Sequence, residues 1–255
     1  MLIVCTAYLK FFEQYKFVMR GLVIATLLLS IVFTFLYGGV KFIHEERYGD
    51  KVEVENGWIK LPEPRKKGEM SVEEAIEKRR SVRDYIDKPL KLEHLSQILW
   101  AAQGITDPIR KFRSAPSAGA TYPLELYVVV GDVVGLKPGI YHYNPYNHSL
   151  KLIKEGDYRY DLYIACVSQK WVLKAPASIV ITAVYERTIN RYGERGIRYV
   201  HMEAGHVGQN IYLQATALGI GTVAVGAFYD ERVEEIVGAK DNERALYVFP
   251  LGYKR

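Results

Sequence analysis

Twenty consecutive residues, Gly21 to Val40 (GLVIATLLLSIVFTFLYGGV), carry no charge, and Arg20 and Lys41 bracket them. As a helix rising about 1.5 Å per residue, this run spans roughly 30 Å, the hydrocarbon thickness of a bilayer. It divides the chain into an N-terminal flank (1–20), a single transmembrane anchor (21–40) and a remainder that folds in water. A buried core helix is the weaker reading, because soluble helices rarely lack every charge over such a length. A cleaved signal peptide is weaker too: no A-x-A-like site follows the run, although Gly38 and Gly39 are small. Met19-Arg20 offers an alternative start with its own short basic region, which makes 1–18 an artefact of the assigned start and leaves the anchor in place. Lys10, Lys16 and Arg20 before the run balance Lys41, Arg47 and Lys51 after it. The positive-inside rule therefore assigns the rest of the chain to neither side of the membrane.

Residues 41–69 read as a linker: charged at His44-Glu45-Glu46-Arg47, then punctuated by Pro62, Pro64 and Gly68, with no hydrophobic period. The soluble domain is expected over 70–255. Ser71-x-x-Glu74 forms a capping box ahead of a helical stripe at Val72, Ala75 and Ile76. Leu92, Leu95, Ile98, Leu99 and Ala102 mark a second helix ending near Gly104. Leu124 to Val130 (LELYVVV) reads as a buried strand, 139–143 and 149–153 as a hairpin, 158–166 as a helix and 178–185 as a strand. Residues 198–218 form the longest helical pattern. Strands follow at 222–227 and 245–251, around a short helix capped by Asp230 and stopped at Gly238. Strands and helices mix without strict βαβ alternation, which is an α+β layout.

At 255 residues, 49% of them hydrophobic, the chain can bury a full core. Its net charge of +5 is spread out, so nucleic acid is not the expected partner. Two cysteines, Cys5 and Cys166, supply neither a disulfide framework nor a thiolate metal site.

The strongest local signal is Arg79-Arg80-Ser81-Val82-Arg83 at the end of the first helix. Guanidinium forks match phosphate oxygens at any working pH. A charge run at a helix end is ordinarily a solvated face that complements the helix dipole. The embedded Ser81, the abrupt exit through Asp84-Tyr85 and a second basic pair, Lys254-Arg255, just after the last strand favour an anion site instead. Between these extremities Pro116-Ser117-Ala118-Gly119 opens a small-residue loop leading into a strand. Together they describe a pocket for a flat, phosphorylated cofactor. Gly219-Ile220-Gly221 follows a helix and opens a strand, the reverse of a dinucleotide fingerprint. Gly226, lacking a side chain, suits close approach of backbone to a ligand ring. His201 and His206 lie five apart on the long helix and diverge by about 140°, so no metal site is expected.

These residues carry a resemblance. From Ser71 to Arg255 the chain resembles the flavin-dependent nitroreductase fold, closest to the SagB-type dehydrogenase branch, known for oxidising azolines to azoles in thiazole/oxazole-modified peptides. The motifs, in order, are 79–83, 115–126 (APSAGATYPLEL), 191–199 (RYGERGIRY), Glu203-Ala204-Gly205-His206 with Gln209-Asn210, 219–222 and 251–255. The resemblance implies a mixed, mainly antiparallel sheet flanked by helices, bound FMN, and a homodimer with two sites at the subunit interface. It implies that Arg79, Arg80, Ser81, Arg83, Lys254 and Arg255 hold the ribityl phosphate. Pro116, Ser117, Ala118 and Gly119 flank the flavin, and Val225 and Gly226 lie near its reactive edge. The substrate is a small molecule or a peptide, with NADH or NADPH as a candidate electron donor. Two positions depart from the family: Ala120 stands where ordinary nitroreductases carry Asn, and Arg191-Tyr192 where azoline oxidases carry Lys-Tyr. Arg does not lose its proton, which leaves Tyr192 as the acid–base candidate and Arg191 as a substrate-binding one. A nitroreductase, a reductase similar to iodotyrosine deiodinase (which also joins an anchor to this fold) and a non-catalytic anchored binding module are the alternatives.

Overall fold

The β-branched runs pair into a single large sheet. The computed structural model describes residues 54–255 and, ahead of them, only Leu29, which is helical. The expected anchor otherwise lies outside the described residues, among which no helix is long and apolar enough to cross a membrane. Asp50–Arg255 forms one compact unit.

The strands are β1 (Val54–Glu55), β2 (Trp58–Lys60), β5 (Leu124–Val130), β6 (Gly139–Asn144), β7 (Ser149–Glu155), β8 (Ala177–Val184), β9 (Ile220–Thr222) and β10 (Glu243–Tyr253), with a separate ribbon of β3 (Ile105–Asp107) and β4 (Phe112–Arg113). The sheet order is β1-β2-β7-β6-β5-β8-β10-β9. Every neighbouring pair is antiparallel, so the expected mixed character is absent from the described sheet. The helices are α1 (Val72–Lys78), α2 (Leu92–Gln103), α3 (Arg159–Ala165), α4 (Lys170–Lys174), α5 (Glu186–Tyr192), α6 (Arg195–Ala217) and α7 (Asp230–Val237).

Strands β5 and β8 lie at the centre, and all of β8 is buried. Successive strand side chains point to opposite faces, and β5 divides accordingly. Leu124, Leu126, Val128 and Val130 enter one core with α2 and α6, while Tyr127 and Val129 enter the other with α3, α4 and α7. The sheet is thus the middle of three layers. Helix α6 is about 34 Å long, and its buried stripe of Val200, Glu203, Ala204, Val207, Gly208 and Ile211 lies along the sheet. A Cβ at Gly208 would stand 2.9 Å from the Phe249 ring, so that glycine sets how closely α6 approaches β10.

Several expectations need correction. The stretch expected to be linker contains β1 and β2, and β2 pairs with β7. Beyond it, Ser96 donates to the Pro62 carbonyl at 2.5 Å and Gln97 accepts from the Arg65 N–H at 2.7 Å, strapping 61–65 onto α2. The strand expected over 222–227 ends at Thr222 and leaves only the Val225–Val248 bridge. Asp230 is the first residue of α7, not its cap; Tyr229 holds that position without a side-chain bond. Ser71 does cap α1, accepting from the Glu74 N–H at 3.1 Å, and Gly238 ends α7 in the left-handed region.

Candidate functional site

The two basic extremities meet. After α1 the chain runs along the edge of β9 and the end of β10. Val82 donates to the Thr222 carbonyl at 2.9 Å, Tyr85 bridges Lys254, and Ile86 donates to the Tyr253 carbonyl at 3.0 Å. Two glycines permit this contact. A Cβ at Gly221 would stand 2.6 Å from Val82, and one at Gly252 2.7 Å from the Tyr85 ring. Arg255 lies 3.5 Å from Asp84. Five cations, Arg79, Arg80, Arg83, Lys254 and Arg255, therefore gather around one short junction.

Tyr212 of α6 organises the junction, and sequence reasoning missed it. Its hydroxyl bonds Ser81 Oγ at 2.9 Å and accepts from the Ala224 N–H at 2.8 Å. The Arg79 guanidinium lies over its ring at 5.1 Å. Arg83 lies over Trp171 at 5.4 Å. Arg80 turns back and donates to the carbonyls of Glu77 (2.8 Å) and Arg79 (2.7 Å), serving the end of α1. Val225 is buried, with its N–H and carbonyl both paired to Val248. Gly226 beside it is exposed, so the open backbone at this point is Gly226's.

The small-residue loop forms a second cluster. Gly119 (φ 59°), Ala120 (φ 54°) and Tyr122 (φ 45°) all have left-handed backbone. Such strain in non-glycine residues concentrates at functional sites. Arg191 Nη1 donates to the Gly119 carbonyl at 3.1 Å, and a Cβ on Gly119 would meet the Tyr192 hydroxyl at 2.6 Å. Arg191 and Tyr192 thus sit on the loop predicted to flank the flavin. The strand register separates this cluster from the first. Leu124 is level with Ala183 and Leu251 with Ala177, six residues apart along β8, or about 20 Å.

Beneath the loop lies Glu203, which belongs to a sequence motif of the long helix that does not foretell its burial. Glu203 is 2% exposed. Burial pushes its carboxyl up to about 7, while the side chains of Ser117 and Gln103 and the Arg113 charge offset that only in part. Glu203 Oε1, Gln103 Nε2, Arg113 Nε and Ser114 Oγ are all buried without a hydrogen-bond partner. The available signal was the spacing of Glu203 from Val200 and Val207, three and four residues away, on the core stripe.

The geometry has counterparts among known proteins. A family model described as "Nitroreductase family" matches residues 76–253. Over 206 residues the chain is 50% identical to "Putative nitroreductase MJ1384" of Methanocaldococcus jannaschii, covering 81% of this chain and 98% of that one. It is 31% identical over 152 residues to the trifolitoxin-processing protein TfxB of Rhizobium leguminosarum bv. trifolii, covering 51% of this chain and 38% of that one. A crystal structure from Ralstonia eutropha JMP134, also described as a putative nitroreductase, superposes with a TM-score of 0.68 at 27% identity, over 80% of this chain and 94% of that one. With basic extremities joined at one end of the sheet and a strained loop at the other, in a fold and sequence matched over this span, the chain belongs to the nitroreductase family.

Proposed function

We propose that the protein is an FMN-dependent oxidoreductase of the SagB type, a homodimer that exchanges a hydride with a small-molecule or peptidic substrate and is anchored to a membrane through residues 21–40. The observation that carries this reading is the junction of Arg79–Arg83 with Lys254–Arg255. Five cations and one carboxylate leave a strong local excess of positive charge, which suits a phosphate monoester. The cradle fits the cofactor in a second respect: Gly226 leaves open backbone beside Ala224, where a flat ring can approach.

Bound FMN supplies the redox chemistry, and the protein's part is binding, orientation and electrostatics. Ser81, Arg79, Arg83, Lys254 and Arg255 hold the phosphate, with Tyr212 fixing Ser81 and Arg79 and with Arg80, turned back onto α1, adding its charge at a distance. Arg191 tethers the Gly119 carbonyl, so it shapes the loop and does not move protons. Tyr192, at the exposed end of α5 and against the same loop, is our candidate for exchanging a proton with substrate. The separation of the loop from the phosphate cradle supports the homodimer, in which one subunit's loop faces its partner's cradle. The similarity to a toxin-processing protein supports a peptide among the substrates, and NADH or NADPH is the proposed electron donor.

Titrating the full chain with FMN under fluorescence tests the reading. Arg83→Ala with Lys254→Ala should weaken FMN binding at least about tenfold with an unchanged circular dichroism spectrum. Equal FMN affinity in that variant sinks the phosphate assignment. Anaerobic mixing with NADH and NADPH then separates a reductase, whose flavin bleaches, from a substrate-oxidising dehydrogenase, whose flavin does not.

A further inference from the structure

A cleft of about 400 Å³ opens on the outer side of the strained loop, between it, β2 and the β6–β7 turn. That is the size of a small-molecule site. Its walls are aromatic: Trp58 from β2, Tyr122 from the loop, and Tyr143 and Tyr146 from the hairpin. Arg113 lies among them, with its guanidinium over Tyr122 at 4.6 Å and over Tyr146 at 5.6 Å. Its Nη1 donates to Gln103 at 2.9 Å; its charge is felt by the buried Glu203 behind the loop, but no carboxylate among the described residues lies within ion-pair distance of it.

The other charges of the cleft are mutually engaged. Glu125 binds Arg187 at 2.6 Å and His142 at 2.8 Å, and Arg187 also donates to the Tyr122 carbonyl at 3.0 Å. With Arg113 and Arg187 set against Glu125, the lining keeps one net positive charge. Aromatic walls alone suit a cation, but a guanidinium already occupies that position. Flat walls and a cation with no ion-pair partner inside the cleft together select a flat anion.

We propose that this cleft binds an aromatic carboxylate, its ring between the Trp58 and Tyr146 side chains and its carboxylate on Arg113. The inference goes beyond the flavin reading and stands without it, because no group in the cleft belongs to the phosphate cradle.

Calorimetry on the flavin-free full chain, with 2-naphthoate and its neutral analogue 2-naphthamide, tests the assignment. The wild-type protein should bind the carboxylate about tenfold more tightly than the amide, and Arg113→Gln should abolish that preference. Tyr146→Ala, on an exposed turn that carries no core packing, should weaken binding of the carboxylate about threefold; it keeps the test decisive if Arg113→Gln fails to fold. Equal wild-type affinity for the two ligands overturns the proposal. So does a preference that survives Arg113→Gln, or an affinity indifferent to Tyr146→Ala. Because FMN is absent throughout, failure here leaves the phosphate assignment untouched, and failure there leaves this one.

Discussion

Glu203, buried, and His148, half-buried, are ionisable groups whose responses to pH oppose each other. Burial raises the Glu203 carboxyl to about 7 from an ordinary 4.5. Its contribution to stability is therefore complete below about 4.5 and is lost as pH rises through about 7. His148 accepts from or donates to Tyr143 at Nδ1 (2.9 Å) and Ser96 at Nε2 (2.8 Å). Burial lowers its pKa, so its contribution is complete above about 6.5 and is lost as pH falls. Just below about pH 6.5 the two slopes therefore oppose each other. Glu203→Gln keeps the shape and removes the ionisation. Its advantage over wild type should grow by about 1.4 kcal/mol per pH unit between about pH 4.5 and 7, reaching about 3 kcal/mol at pH 8. Urea denaturation at pH 5 and pH 8 measures it. A difference that does not change with pH means that Glu203 is ionised and compensated in the fold.

Among the elements, the junction of the 82–86 segment with β9 and β10 depends on two missing side chains. Gly221→Ala and Gly252→Ala insert a methyl at 2.6 Å from Val82 and 2.7 Å from Tyr85. Overpacking of this kind costs about 1–3 kcal/mol. It also pushes the Arg79–Arg83 segment off Lys254, so FMN affinity should fall with stability. Gly68→Ala, where nothing lies within 4 Å, is the control and should leave both unchanged. Thermal melts and FMN titration read the series; full FMN affinity in Gly252→Ala means that the segment does not depend on the contact. The sequence made the long elements legible because periodicity marks them: LELYVVV occupies the predicted strand residue for residue, and α6 starts three residues early. It hid β1 and β2, which are too short to show alternation and are fixed by pairing with β7. It also hid α4, too short at five residues to show a period, and α5, which lacks the capping box that announced the equally short α1. The same holds at the candidate site. Arginine clusters declare themselves locally, whereas Tyr212 and Arg113 are positioned by partners outside their own elements, from about ten to more than a hundred residues away.

In the molecule as a whole, α6 carries a face that the described residues leave uncovered. Arg198, Met202, Gly205 and Gln209 follow one another at spacings of four, three and four along α6, and all are exposed. Met202 is 47% and the neighbouring Ile197 41% exposed. Gly205 stands in the middle of a 23-residue helix, where glycine costs about 0.5–1 kcal/mol relative to alanine. A Cβ there would meet nothing within 4 Å, so nothing within the described chain requires the glycine. Close approach of a second copy, as in the proposed homodimer, would account for it. Gly205→Trp fills that space without touching the monomer core. It should give a folded monomer by light scattering, with a circular dichroism spectrum like that of wild type and FMN affinity reduced at least about tenfold, because the partner's loop no longer reaches the cradle. A variant that remains dimeric places the interface elsewhere. A monomer that keeps full FMN affinity shows that one chain completes the site alone, with its own Pro116–Gly119 loop irrelevant to the flavin.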